Sequence, residues 1–206
     1  MTITYELGNS LYINITNRCS NDCKFCVRNI SDNVNGRDNL WLDREPTVDE
    51  IIKNITTRDL SKYDEIVFCG FGEPMIRWED VFKVAEYIKN VEDVHPLVPK
   101  KIPIVRLNTN GHGNLIANRD ITPELNEKID IVSISLNAKS ATEYDEICKS
   151  EYGEKAYNAL LDFAKLASKY VHVILTVVDV MNKDDITACR KIAENLNVEF
   201  RVREII

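Results

Sequence analysis

Three cysteines lie close together near the N-terminus, in the stretch NITNRCSNDCKFCVRN over residues 14–29. Cys19, Cys23 and Cys26 have the spacing C-x3-C-x2-C, and thiolates are ligands of zinc and of iron–sulfur clusters. Closed zinc sites and fully protein-bound clusters use four ligands, so the triplet is one ligand short. Three thiolates from one loop can bind three irons of a cubane cluster, which leaves the fourth iron for a ligand from outside the protein.

A structural zinc site is the first alternative, but its fourth ligand usually comes from a second C-x2-C pair or from paired histidines. The remaining cysteines and the histidines are isolated from one another along the chain: Cys69, Cys148, Cys189, His95, His112 and His172. The sequence therefore favours one open cluster over a zinc site, and it predicts no second cluster. Cys148, in DEICKSEYG, is expected in a loop after the fourth parallel strand, and its role stays open at this point.

The composition is that of an ordinary globular chain, with 206 residues of which 44% are hydrophobic and 29% charged. A formal net charge of −7 argues against nucleic-acid binding through bulk electrostatics. No apolar run approaches the roughly 18–20 residues that cross a bilayer, and residues 1–10 lack the features of a secretory signal. We therefore expect no membrane association, reduced cysteines and a cytoplasmic location.

Apolar β-branched segments alternate with amphipathic helical segments, which is typical of an α/β protein with a parallel sheet. Helices are predicted over residues 47–56, 78–90, 156–170 and 184–197, with a short one within 121–128 and a capping box of Thr47 and Glu50 at the first. Strands are predicted over residues 10–16, 64–70, 102–110, 129–137, 171–179 and 198–204, and residues 2–7 can pair with the first of them. Six β/α units are fewer than the eight of a closed barrel, so we predict a single domain over 1–206 that forms an incomplete (β/α)6 barrel resembling the TIM barrel.

The cysteine motif follows the first parallel strand and has Phe25 directly before its last cysteine, which resembles the signature of the radical S-adenosylmethionine (SAM) superfamily. The resemblance extends over essentially the whole chain, and the N-terminal stretch is most similar to the small TatD-associated radical SAM proteins. It implies that Cys19, Cys23 and Cys26 hold a [4Fe–4S] cluster whose fourth iron is chelated by SAM. It also implies that Phe25 belongs to the cofactor-binding residues.

Two further segments resemble SAM-binding segments of this superfamily. Gly70, Gly72 and Glu73 belong to GFGEP, which is similar to the G-G-E-P segment that binds the methionine amino group. By itself, GFGEP could also be an ordinary strand-to-helix turn. Asn108 and Thr109 belong to RLNTNG and are expected at the SAM ribose or carboxylate, although neighbouring residues of a regular strand point to opposite faces.

The fourth and fifth parallel strands also carry polar residues near their ends. Hydroxyl and amide groups on the inner face of a central strand are costly unless they are hydrogen-bonded, to a ligand, the backbone or water. The family resemblance favours Ser135 and Asn137, in VSISLNA, as SAM contacts. Thr176 and Asp179 are weaker candidates on the fifth strand.

The resemblance implies that an electron from flavodoxin or ferredoxin drives cleavage of SAM to methionine and a 5′-deoxyadenosyl radical, which abstracts hydrogen from an unidentified substrate. That substrate is either a small molecule or a partner protein, as in activating enzymes. The long loop over residues 27–46 contains Arg28, Arg37, Trp41 and Arg44, which suit the binding of an anionic or planar substrate or an ordered lid. A cluster-bearing electron carrier or sensor without catalysis is the remaining alternative.

Overall fold

A single mixed sheet organises the computed structural model, which describes residues 1–34, 36–90 and 103–204. Its strands follow one another in chain order: β1 Thr4–Leu7, β2 Ser10–Ile13, β3 Glu65–Phe68, β4 Ile104–Thr109, β5 Ile131–Ser135, β6 His172–Val178 and β7 Glu199–Arg203. The hairpin of β1 and β2 is antiparallel, and every later pair is parallel. The predicted N-terminal pairing and the six parallel strands are therefore confirmed.

The sheet forms an incomplete barrel, as predicted. Over the described residues each strand pairs only with its neighbours in chain order, and β7 does not pair with β1. The carboxyl ends of β2 to β7 lie at one edge, where barrel-like α/β proteins carry their functional loops. The predicted proline-rich connection before β4, including His95, falls on residues 91–102 and lies outside the described residues.

Helices connect the parallel strands: α1 Val48–Thr56, α2 Trp78–Lys89, α3 Gly113–Ala117, α4 Ala141–Cys148, α5 Lys155–Ala167 and α6 Lys183–Leu196. At α1 the Thr47 hydroxyl accepts from the Glu50 backbone N–H and the Glu50 carboxylate accepts from the Thr47 N–H, so the predicted capping box is confirmed. The helix predicted within 121–128 is a 3-10 turn over Thr122–Leu125. No helix among the described residues is long and apolar enough to cross a bilayer.

The two faces of the sheet differ in polarity. On β4 and β5 the helix-covered face carries fully buried Val105, Leu107, Val132 and Ile134. Burying such a side chain contributes about 1.5–3 kcal/mol. The residues between them point to the concave face of the barrel. On that face polar side chains alternate along β4 and β5, and they form the wall of a cavity.

Candidate functional site

A cavity of about 390 Å³ lies at the carboxyl ends of the parallel strands, within the range of small-molecule pockets. It brings together all eleven residues that the sequence assigned to cofactors: Cys19, Cys23, Phe25, Cys26, Gly70, Gly72, Glu73, Asn108, Thr109, Ser135 and Asn137. Of the two weaker candidates, Thr176 lines the cavity and Asp179 does not. A wider depression of about 570 Å³ beside His172 is open to solvent and contains none of these residues.

The three cysteine residues are partly exposed, and two of their thiols, those of Cys19 and Cys26, receive hydrogen bonds from the backbone of their own loop. The Asn21 N–H donates to Cys19 Sγ at 3.4 Å, and the Arg28 N–H donates to the Cys26 thiol. Burial and the nearby Glu73 carboxylate raise the pKa of the Cys19 thiol to about 12, and burial also raises the pKa of Cys26. Metal binding therefore has to displace protons from these thiols.

The Arg28 side chain stabilises the cysteine loop from beneath. Its guanidinium is 16% exposed and donates to the backbone oxygens of Asn17 and Asn21, at 3.5 and 3.3 Å, and to the Asp22 carboxylate. Its positive charge lowers the pKa of all three cysteine thiols, against the larger effect of burial on Cys19 and Cys26. Arg28 does not line the cavity, so its position supports the cluster ligands rather than substrate binding.

Helix α4 fixes the other side of the cysteine loop. The backbone N–H groups of Asp22 and Lys24 donate to the carbonyls of Cys148 and Ile147, at 2.9 and 3.0 Å. Sequence reasoning placed Cys148 in a loop, and this was wrong: Cys148 is the last, fully buried residue of α4. A hydrogen bond with Cys148 is the main cause that raises the pKa of the Cys23 thiol, followed by burial.

A buried polar network connects the cysteine loop to the end of β4. His112 is fully buried, with Nδ1 3.0 Å from Ser20 Oγ and Nε2 3.3 Å from the Tyr144 hydroxyl. The Asn110 amide donates to Ser20 Oγ at 2.8 Å, and the Asn21 amide donates to the Tyr144 hydroxyl at 2.9 Å. Burial lowers the pKa of His112 to about 4, so its ring is neutral at pH 7 and serves as a structural hydrogen-bonding group.

The two glycines of GFGEP are required by packing within the protein. A Cβ on Gly70 would lie 2.0 Å from Asn14 Oδ1, and a Cβ on Gly72 would lie 2.3 Å from the Thr16 carbonyl oxygen. The segment after β3 thus packs directly against the end of β2 and the start of the cysteine loop. The Glu73 N–H donates to the Arg18 carbonyl at 2.8 Å and strengthens this contact.

Glu73 is 4% exposed and acts as a multiple acceptor at the cavity wall. Its Oε1 accepts from the Met75 N–H at 2.9 Å and from the Thr109 hydroxyl at 2.7 Å, and its Oε2 accepts from the Asn110 N–H at 2.7 Å. Burial raises the pKa of this carboxyl, while the three hydrogen bonds lower it. Because the Thr109 hydroxyl donates to Glu73, Thr109 orients the carboxylate.

Several polar atoms of the cavity wall have no protein partner among the described residues. The side-chain oxygens of Asn108 and Asn137 are buried without a hydrogen bond. Asn137 also has a positive φ of 54°, an unusual backbone for a residue other than glycine. Buried polar groups are nearly always satisfied, so such oxygens suit a ligand with hydroxyl or amino groups.

The donor set fits a cluster together with SAM. Three thiols share one cavity with a buried carboxylate and unsatisfied amide oxygens, which are acceptors for an ammonium group and for ribose hydroxyls. Within the described ranges, no three His, Cys, Asp or Glu side chains are grouped to hold a single metal ion. A cubane cluster instead distributes its cysteine ligands over separate irons.

The loop over 27–46 lies beside the cavity, and two of its arginines are engaged elsewhere. Val27 and Val34 line the cavity, and Leu40 packs with Tyr5 and Phe71. Arg44 pairs with the Glu50 carboxylate at 2.5 Å. Because Arg28 and Arg44 both have partners within the protein, they do not support the predicted binding of a substrate. The loop over 27–46 is therefore better described as an ordered lid.

Sequence reasoning missed part of the cavity wall: Tyr5, Tyr12, Cys69, Arg106, Asn110, Arg201 and Arg203. A usable signal was the alternation of polar residues along two strands. Arg106 precedes Asn108 by two residues on β4, and Arg201 precedes Arg203 by two on β7, which puts each pair on one face.

Protein families and curated proteins that resemble this chain were identified by comparison. A family model described as "Radical SAM superfamily" matches residues 13–192. The chain is 22% identical over 197 residues to the uncharacterized protein MJ0804 of Methanocaldococcus jannaschii, a match that covers 94% of this chain and 56% of the relative. The chain therefore spans about half the length of that curated relative.

Solved structures share the fold. A structure of TYW1 with a lysine-pyruvate adduct bound has a TM-score of 0.61 at 16% identity and covers 96% of this chain and 65% of that chain. The radical S-adenosylmethionine methyltransferase TsrM from Kitasatospora setae, with cobalamin and a [4Fe-4S] cluster bound, has a TM-score of 0.58 at 11% identity. That match covers 94% of this chain and 34% of the other.

Proposed function

Because the chain belongs to the radical SAM superfamily, we propose that it is a radical SAM enzyme that cleaves SAM reductively to methionine and a 5′-deoxyadenosyl radical, which takes a hydrogen atom from a substrate. Cys19, Cys23 and Cys26 are the proposed ligands of a [4Fe–4S] cluster. The observation that carries the proposal is the convergence of these thiols and the GFGEP carboxylate in one cavity. The TatD-associated subgroup stays a prediction.

The cluster, when bound, supplies the electron that breaks the sulfonium C–S bond of SAM. The protein contributes binding and orientation. Glu73 is suited to the ammonium group of SAM, because its carboxylate is held in place by three hydrogen bonds and is buried beside the cysteines. Asn108 and Asn137 offer free oxygens to hydroxyl groups, and Ser135 adds a hydroxyl on the same wall.

The lid supports a reaction that has to exclude water. The Asn14 amide, at the end of β2, donates to the Leu40 carbonyl at 2.7 Å, and the Asn17 side chain bonds to both backbone groups of Leu42, at 2.8 and 3.0 Å. These bonds hold the C-terminal part of the lid against the strand that precedes the cysteines. A reactive radical survives longer where water and side reactants are kept away.

The reductant is a second part of the proposal. Reductive cleavage of SAM needs one electron from outside the protein, and flavodoxin or ferredoxin is the donor class we propose. The partly exposed cysteine loop is where such a donor has to approach, because electron transfer needs a short path to the cluster.

The test is to reconstitute the protein with iron and sulfide under anaerobic conditions, add dithionite and SAM, and quantify 5′-deoxyadenosine by chromatography. Cys23→Ala is the loss-of-ligand variant. Cys189→Ala is the matched control, because Cys189 is a buried cysteine of α6 outside the cavity. We expect the nucleoside from the wild type and from Cys189→Ala, and none from Cys23→Ala. A protein that holds the cluster but has no affinity for SAM would instead be an electron carrier or sensor.

A further inference from the structure

We propose that the substrate is a small molecule with an anionic group, a carboxylate or a phosphate, which Arg203 binds at the β7 end of the cavity. This inference rests on the proposed function and goes beyond it by naming the substrate class. It starts from an asymmetry of the cavity. The cysteines and Glu73 lie in the segments after β2 and β3, whereas Arg201 and Arg203 lie on β7, the last strand in the sheet order.

The strand register explains why both arginines face the cavity. Thr176 is paired with Arg201 and Val178 with Arg203, and Thr176 and Val178 themselves line the cavity. Side chains of paired residues in a parallel sheet point to the same face. Cys69, which directly follows β3, lines the same cavity as Arg203.

Among the described residues, Arg203 differs from the other two cavity arginines in having no ion-pair partner. Arg106 forms an ion pair with Glu65 at 2.6 Å, and Arg201 forms one with Glu199 at 3.1 Å. In the part of the chain that the structure describes, the side chain of Arg203 has neither an ion pair nor a hydrogen bond, and Glu204, at the same end, does not pair with it. An unpaired guanidinium presents its full donor set to a carboxylate or phosphate.

The overall charge makes this arrangement informative. The chain has a net charge of −7, and two of the three arginines in this cavity have acidic partners, so the guanidinium of Arg203 contrasts with the average charge of the protein. The two acidic residues of the same cavity, Glu73 and Glu204, form no ion pair with Arg203 among the described residues. Such an unpaired positive charge attracts an anionic group and orients it in the cavity.

The lid argues for a small molecule rather than a loop of a partner protein. Val27 and Val34 of the lid contribute to the cavity wall, and Leu40 is fully buried against Phe71. The lid thus covers the flank of the cavity beside β1. A cavity of about 390 Å³ suits a small-molecule ligand.

The experiment measures anion binding to the cluster-loaded protein saturated with SAM, by anaerobic titration calorimetry with inorganic phosphate and with succinate as probes. Arg203→Gln is compared with the wild type. Arg119→Gln is the matched control, since Arg119 is a half-exposed arginine that pairs with Glu124 outside the cavity. SAM affinity is measured for all three proteins.

We expect at least one probe to bind the wild type and Arg119→Gln. In Arg203→Gln the affinity for that probe should fall roughly 10- to 100-fold, because one charge-assisted interaction is lost. The probe that binds better identifies the anion as phosphate or carboxylate. Equal binding to the wild type and Arg203→Gln, or binding of neither probe, would overturn the inference. A parallel loss of SAM affinity in Arg203→Gln would overturn it too, since Arg203 would then hold the SAM carboxylate. Wild-type protein that fails to bind SAM would contradict the proposed function instead, and the same titrations without SAM would still test Arg203.

Discussion

Replacing Gly72 by alanine tests how the segment after β3 supports the cysteine loop. The added Cβ would lie 2.3 Å from the Thr16 carbonyl oxygen and 2.5 Å from that of Arg18. Both distances are shorter than 3.0 Å, a separation that real Cβ contacts essentially never fall below. Both contacts are backbone atoms and cannot rotate away. The backbone from Thr16 to Arg18 or the GFGEP segment therefore has to shift.

The shift has a cost in stability and in metal binding. Overpacking of this kind costs about 1–3 kcal/mol, which corresponds to a decrease in Tm of roughly 2–12 °C for a chain of this size. Arg18 directly precedes Cys19, and its carbonyl also accepts the Glu73 N–H at 2.8 Å. Displacing this residue moves the first cluster ligand, so we expect iron affinity to fall roughly 10- to 100-fold, as for other supporting residues of metal sites.

The assay combines thermal unfolding of the metal-free chain with iron and sulfide determination after reconstitution. Gly113→Ala is the control, because its Cβ would meet only side-chain atoms, Phe163 Cε2 at 3.0 Å and Met75 Cε at 3.1 Å, which can move. We expect that control to keep its iron. Wild-type Tm and iron content in Gly72→Ala would refute the packing argument, and equal iron loss in Gly113→Ala would refute its specificity.

Three further predictions follow from the described contacts. Glu73→Gln should weaken SAM binding and lower Tm, because an amide cannot accept all of the hydrogen bonds from Met75, Thr109 and Asn110. Equilibrium SAM binding and thermal unfolding measure the two effects. An unchanged SAM affinity would contradict the role assigned to Glu73. His112 has a folded-state pKa of about 4, below its usual 6.5, so the stability it contributes is complete above pH 6.5 and is lost as the pH falls toward 4, by about 2 kcal/mol at pH 5. Urea unfolding of the metal-free chain should show that loss in the wild type and a smaller one in His112→Gln, whereas equal losses would contradict the neutral, buried ring. Thr47→Ala should cost about 1 kcal/mol through loss of the capping box and leave iron binding unchanged, as unfolding and iron determination would show.

The sequence predicted the elements whose pattern is strong and local. The capping box of Thr47 and Glu50 is recognisable from residue types at fixed spacing, and the parallel strands from their apolar runs. The sequence did not predict helices α3 and α4, because neither has a clear hydrophobic period. Five residues that begin with Gly113 are too few for a periodic pattern, and α4 buries only Tyr144 and Cys148.

The motif residues of the site were predictable for the same reason, since cysteines and glycines at fixed spacing are visible in the chain. The contacts between distant segments were not. The bonds of His112 to Ser20 and Tyr144, and the contact of Cys148 with Cys23, depend on how helices and loops meet in three dimensions. The inward direction of Arg203 likewise follows from the register of β7 against β6, which no local pattern encodes.

The most direct test of the central claim is whether SAM binds to an open iron of a cluster held by Cys19, Cys23 and Cys26. The reduced, reconstituted protein is examined by electron paramagnetic resonance with and without SAM. The account predicts the signal of a reduced [4Fe–4S] cluster that changes when SAM is added and is lost in Cys23→Ala. A cluster signal that SAM leaves unchanged would contradict the claim, since every iron would then already have its ligands.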